Sequence, residues 1–291
     1  MLEGPESRPD AFELRLTLEA IRAPCLEAGF ELVVAVWSEP ADWTSYAAVV
    51  VGAPWDYTEH PARFLEVLGE IEAAGVPLLN PLATLRWNLD KRYLRELEAA
   101  GLPTVPTHWA ARVDAAAVEA AFEAFGRAGR EVTELVIKPQ IGAGAWRQVR
   151  LRRGEELPAP ELLPPGEALL QPFLAEVQER GELSLVYFGR TFSHALRKLP
   201  RPGDYRVQSM YGAREEVYEP CAEELALAEA VLAKAPGDLL YARVDFLWDT
   251  PAEGEASLRL IELELIEPYL YPEQGPAMGA TFARALQRAL A

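Results

Sequence analysis

The sequence predicts an open α/β layer followed by a larger α+β region, and three observations carry that prediction. Apolar and helical runs alternate through the first third. A proline-bearing exit, "LPTVPTHWA" at residues 102–110, then sets this part off from the rest. Beyond it, strands outnumber helices almost to the C-terminus.

The polar leader "MLEGPESRPD" passes almost directly into a helix. "FELVVAVW" (30–37) and "YAAVVVGA" (46–53) read as buried strands. In "HPARFLEVLGEIEAAG" (60–75), Phe64, Val67, Leu68 and Ile71 fall at helical spacing and Gly75 supplies the stop. "VPLLNP" is a short strand closed by Asn-Pro. "NLDKRYLRELEAAG" (88–101) is expected to be one helix, with Leu94 and Leu97 inward and Gly101 at its end. "AAAVEAAFEAFGRAG" is helical, and "ELVIKPQ", "WRQVRLR" and "EALLQPF" are strands. The remainder is strand-rich until one helix near residues 221–235 and another that closes the chain. The expected division is an N-terminal α/β unit at 1–83, a central unit at 84–168 and a C-terminal unit at 169–291.

Composition narrows the function. The 291 residues are 50% hydrophobic and 25% charged, and no apolar run reaches the roughly eighteen residues of a membrane span. A net charge of −17 without a Lys/Arg patch argues against a nucleic-acid groove. The start has no basic region followed by an apolar one, so a cytoplasmic location is expected. Cys25 and Cys221 stand far apart in helical-looking runs and read as buried structural thiols, and the three histidines form no metal-ligand spacing.

Four stretches carry chemistry. "VIKPQIGAGAWRQVRL" (136–151) delivers Lys138 on a strand into a loop with Gly142 and Gly144, whose backbone N–H groups are suited to phosphate as well as to a plain hairpin turn. "LLQPFLAEVQERGELSLVYFG" (169–189) interrupts a strand with proline. Taken alone, this exit from Gln171 to Leu174 fits an edge strand and turn better than a site in which the Pro172 carbonyl and Leu174 N–H would meet a base edge and Glu182 would accept ribose hydroxyls. In "YARVDFLWD" (241–249), Arg243 and Asp245 share a strand face. In "LRLIELELIEPYL" (258–270), alternation about Ile261, Leu263 and Leu265 puts Glu262 and Glu264 together on the opposite face. Such a strand fits a solvated surface or a cation site. Two acid-bearing strands, if paired, repel each other, and a divalent cation relieves that repulsion.

In this order and spacing, these stretches, with "NLDKRYLRELEAAGLPTVPT" and "HALRKLPRPGDYRVQSMYGA", resemble the ATP-grasp superfamily over about residues 80–275. The similarity is greatest to its glutathione-synthetase-like branch of carboxylate–amine ligases, including small-molecule ligases such as the cyclo-ligase of cycloserine biosynthesis. The resemblance implies an ATP-grasp fold behind an N-terminal pre-ATP-grasp domain whose first strand the leader does not show, so that either the start codon is misassigned or the N-terminal sheet is rearranged. It implies that Lys91 and Lys138 hold ATP phosphates under a lid at Gly142–Ala145, that Gln171 and Leu174 meet adenine, and that Glu182 meets ribose. Asp245, Glu262 and Glu264 correspond to ligands of one or two Mg²⁺ ions, with Mn²⁺ as an alternative, and Arg206 and Arg243 to the arginines that stabilise an acyl phosphate. The implied reaction joins a small-molecule carboxylate to an amine and releases ADP and phosphate. A silent ATP-binding partner protein and a kinase that stops at phosphoryl transfer are the alternatives, and a homodimer is the expected assembly. No partner for Glu267 follows from the sequence. Trp55, Asp56 and Tyr57 divide equally between substrate contact and inter-domain packing, and Arg197 and Lys198 between phosphate contact and plain surface.

Overall fold

The structure, a computed structural model, describes residues 1–3, 11–250 and 254–291. The N-terminal layer contains β1 (Leu2–Glu3), α1 (Ala11–Glu27), β2 (Ala35–Val36), β3 (Val49–Ala53), α2 (Pro61–Ala73) and β4 (Leu78–Leu79). Its four strands are all parallel, in the order β2-β1-β3-β4. The expected loss of a first strand is therefore corrected: β1 occupies an interior place, reduced to two residues. Gly52 makes room for it, because a Cβ there would stand 2.4 Å from Met1 Cγ and 2.7 Å from the Leu2 carbonyl oxygen. The brevity of β1 also explains why "FELVVAVW" contributes only Ala35–Val36, since the strand beside it offers few backbone partners. The rest of the leader, 4–10, lies outside the described residues.

The expected single helix over 88–101 is two. The helix α3 (Leu82–Leu89) ends at Asp90, whose backbone is extended and whose carboxylate accepts from Arg92 N at 2.9 Å, and α4 (Tyr93–Ala99) starts afresh. Next come β5 (His108–Ala110), α5 (Ala115–Arg127), β6 (Glu134–Pro139), β7 (Val149–Arg152) and β8 (Ala168–Pro172), an antiparallel sheet ordered β5-β8-β6-β7. Asp114 caps α5 by accepting from Ala117 N, and Val118, Ala121, Phe122 and Phe125 bury the helix on that sheet.

The C-terminal region holds α6 (Val177–Arg180), β9 (Glu182–Phe188), β10 (Thr191–Leu199), β11 (Arg214–Tyr218), α7 (Ala222–Leu232), β12 (Tyr241–Asp249), β13 (Ser257–Glu264) and α8 (Met278–Ala289). Its antiparallel sheet runs β11-β10-β9-β12-β13. One face packs against Tyr93, Leu94 and Leu97 of α4 and Val231 and Leu232 of α7. At one end of the other face, α1 and α8 pack Ile21 and Phe282 onto Val186 and Phe188. Gly279 lets these helices meet, since a Cβ there would lie 2.1 Å from the Ala20 carbonyl oxygen. Among the described residues no helix is long and apolar enough to cross a membrane. Cys25 is buried as expected, but Cys221 is exposed, because it sits just ahead of α7 and not inside it.

One irregularity sets the stage for the site. Asp245 pairs with Glu262, whereas the next residue, Phe246, pairs with Leu260, so Ile261 is an extra residue in β13. Before this bulge, Leu258 and Leu260 face the core; after it, Leu263 and Leu265 do. The expected shared face of Ile261, Leu263 and Leu265 is thus corrected. Ile261 packs with Val105, Leu174 and Leu247 in a separate cluster, and the phase shift turns Glu262 and Glu264 away from the core.

Candidate active site

A cleft lies where the central sheet, the C-terminal sheet and the N-terminal layer meet. It opens broadly to solvent and holds about 180 Å³ of space that water can occupy. All twelve residues singled out from the sequence border it: Lys91, Lys138, Gly142, Gly144, Gln171, Leu174, Glu182, Arg206, Arg243, Asp245, Glu262 and Glu264.

The break between α3 and α4 aims Lys91 inward. Its backbone N–H donates to Gln140 O at 3.1 Å, and its ammonium reaches Gly142 O at 2.6 Å and Glu262 Oε1 at 3.0 Å. Burial works against this charge, but Glu262 outweighs it and leaves the amine raised above its ordinary range. Lys138 projects from β6 and pairs with no carboxylate among the described residues. Burial lowers its affinity for a proton, and Glu262 and Glu182 only partly compensate. The loop beyond it is tightly turned: Gly144, Ala145 and Arg147 all have positive φ, and a Cβ on Gly142 would meet Pro139 Cγ at 2.7 Å.

At the opposite end Gln171, 2% exposed, gives its amide N–H to the Thr107 hydroxyl, while its carbonyl oxygen has no partner. Leu174, Val105 and Ile261 form an apolar wall beside it. Glu182 is held by the ammonium of Lys198 and not left free. Burial and the neighbouring Asp245 raise its carboxyl, and Lys198 opposes them.

On the acidic wall, Asp245 accepts from Arg243 (Nε 3.0 Å, Nη2 2.9 Å) and from the Ser184 hydroxyl at 2.5 Å. Glu264 is paired with the same arginine. Its carboxyl is pushed well up, first by burial and then by Asp245 and Glu262, although Arg243 works against the shift. With each acid turned onto a cation, no three of these side chains surround a common point among the described residues. The donor set nonetheless suits a hard divalent cation, because it offers carboxylate oxygens alone. The acids Glu13, Glu182, Asp245, Glu262, Glu264 and Glu267 line the cleft together with Lys91, Lys138, Lys198, Arg206 and Arg243. Most of these cations are already paired with acids, so a triphosphate entering the cleft brings charge that a divalent cation would offset.

Arg206 is clamped by Asp204 (Nη2–Oδ2 2.8 Å, Nε–Oδ1 3.1 Å) and lies 3.8 Å over the Tyr211 ring. That clamp holds the Asp204 carboxyl far below the usual range.

Two site residues are read incompletely from the sequence, which leaves Lys198 even between phosphate contact and surface and gives Glu267 no partner. Lys198 is 3% exposed and therefore not surface. The available signal was its strand phase, which it shares with buried Leu196, whereas Arg197 points outward to Glu216. Glu267 follows β13, and Tyr57 donates to its Oε1 at 2.8 Å while Trp55 Nε1 donates to its carbonyl at 3.0 Å. The "WDY" turn thus both packs against the C-terminal region and borders the cleft, and Asp56 accepts from Trp37 Nε1. Burial pushes the Glu267 carboxyl up to about 7, so it can take up or release a proton near neutrality. His194 is structural, with its ring bonded to Leu270 O at 3.0 Å.

Comparison with known proteins places these features in context. Residues 6–80 match the family model described as D-cycloserine synthetase DcsG, N-terminal domain. The cycloserine biosynthesis protein DcsG of Streptomyces lavendulae is 31% identical over 302 residues, covering 98% of this chain and 96% of that protein. The crystal structure of D-cycloserine synthetase DcsG superposes with a TM-score of 0.84 at 29% identity, covering 100% of this chain and 98% of the other. The ATP-grasp ligase PsnB, solved with a phosphomimetic variant of its minimal precursor, Mg and ADP, shares the fold, with a TM-score of 0.63, 18% identity and coverage of 100% and 98%.

Proposed function

Because the chain belongs to the ATP-grasp carboxylate–amine ligases, in the company of D-cycloserine synthetase, we propose that it uses ATP to join a carboxylate to an amine on small, amino-acid-like molecules. The carboxylate oxygen attacks the γ-phosphorus of ATP, ADP leaves, and an acyl phosphate results. The amine then attacks the acyl carbon, and the C–N bond forms as phosphate departs.

In this reading Lys138 binds the phosphates, joined by Lys91 when the nucleotide draws it from Glu262, and the Gly142–Ala145 loop closes over them. Gln171 and Leu174 receive adenine, and Glu182 receives ribose by exchanging Lys198 for the hydroxyls. Arg243, and Arg206 once released by Asp204, offset charge that builds up on the transferring group. Asp245, Glu262 and Glu264 would hold Mg²⁺, one ion or two, with Mn²⁺ as a substitute. When bound, the ion supplies neutralisation of phosphate charge. The observation that carries this reading is Lys138, a half-buried lysine whose ammonium has no carboxylate partner among the described residues, in a cleft that also gathers acidic side chains.

Hydroxylamine trapping with a panel of amino-acid-like carboxylates tests it. A hydroxamate and stoichiometric ADP are expected, and both should disappear without Mg²⁺. Nucleotide binding with no hydroxamate from any carboxylate would overturn the acyl-phosphate route.

A further inference from the structure

The orphaned oxygen of Gln171 has a cause one residue away. The Thr107 hydroxyl donates its single hydrogen to Val105 O at 2.8 Å, so it can only accept from Gln171, and it does so from Nε2 at 3.0 Å. If the Gln171 amide were flipped, its oxygen and the Val105 carbonyl would compete for that one hydrogen, and a buried acceptor would lose its partner. The amide is therefore held one way round: its N–H group is spent on Thr107, and its oxygen lies buried and unpartnered on a residue that lines the cleft.

We infer that Thr107 is a positioning residue that selects the base: by locking Gln171 with its oxygen toward the cleft, it admits a purine carrying a 6-amino group and rejects one carrying a 6-oxo group. This inference rests on the nucleotide reading of the cleft proposed above. An adenine amino group donates to the waiting oxygen. A guanine carbonyl would meet it lone pair to lone pair, and turning the amide to suit guanine breaks the pair with Thr107.

The test is calorimetric titration of the full chain with Mg²⁺·ADP and Mg²⁺·GDP, on the wild type, Thr107→Val and Thr107→Ser. The wild type should favour ADP by at least about tenfold, the factor expected for one buried acceptor–acceptor clash. Thr107→Val removes the lock, so the amide is free to turn and the ADP:GDP ratio should shrink several-fold, with GDP binding improved in absolute terms. A general loss of structure cannot improve GDP binding. Thr107→Ser keeps the hydroxyl and should keep the ratio. A wild type that binds GDP as well as ADP overturns the inference even if Thr107→Val does not fold. An unchanged ratio in folded Thr107→Val overturns it while leaving the nucleotide reading in place. A wild type that binds neither nucleotide sinks both.

Discussion

Burial lowers the affinity of the Lys138 amine for its proton, and among the described residues no carboxylate pairs with it. Below the unfolded-state value near 10.4 the unfolded chain holds that proton more firmly than the folded one, so the charged side chain costs the fold stability. Lys138→Met should therefore raise the melting temperature of the ligand-free protein. The same change should weaken ADP binding by about tenfold or more, the scale of a lost charge-assisted contact. A variant that melts lower and binds ADP unchanged would contradict both halves. At this scale, much of the site could be read in advance, because a lysine at a strand end beside glycines, and acids two apart on a strand, constrain their own directions. Glu267 could not be read: its partners Trp55 and Tyr57 are more than two hundred residues away, and nothing local brings them to it.

Within β13, alternation would carry Leu258 and Leu260 on to Glu262 and Glu264, burying both acids in the core. Ile261 breaks that phase, and the two glutamates face the cleft because of it. Deleting Ile261 removes the bulge and leaves Leu260-Glu262-Leu263-Glu264-Leu265 in strict alternation, so both carboxylates should still face the cleft and the variant should fold cooperatively in urea unfolding. A protein that does not fold would contradict this account of the phase shift. Ile261→Ala keeps the bulge and loses only packing with Val105 and Leu174, so it should fold with a loss of about 2–4 kcal/mol in urea unfolding. The bulge was invisible in the sequence because it is a property of two strands together: Leu-Ile-Glu-Leu-Glu alternates acceptably in either phase. The break between α3 and α4 was hidden differently, since its apolar spacing continues across Asp90 and only the capping carboxylate interrupts it.

For the molecule as a whole, the sequence order of strands and helices foretold an α/β layer and two α+β sheets. It left open how the layers join, which depends on contacts between distant segments. His194 makes one such contact: its Nε2–H donates to Leu270 O, while Gly275 lies so close that a Cβ there would be 2.4 Å from Nδ1. Burial lowers this imidazole to about 4. Since its unfolded value is near 6.5, the unfolded chain binds more protons between those limits. Stability from this group is complete above about pH 6.5 and is lost as pH falls toward 4, by about 3 kcal/mol in all. His194→Gln should flatten that acid limb of a urea-midpoint profile, and parallel profiles would rule the histidine out as its source. Another junction seals β13. Asn88 exchanges bonds with Leu263 O and Leu265 N, Tyr93 OH serves both backbone groups of Leu263, Asn80 donates to Leu265 O, and Pro103 and Val105 meet Leu260. Over Leu260–Leu265 a foreign strand therefore finds the outward backbone groups of Leu260, Leu263 and Leu265 already taken. Strand addition to the five-stranded sheet is thereby steered to the far margin at β11.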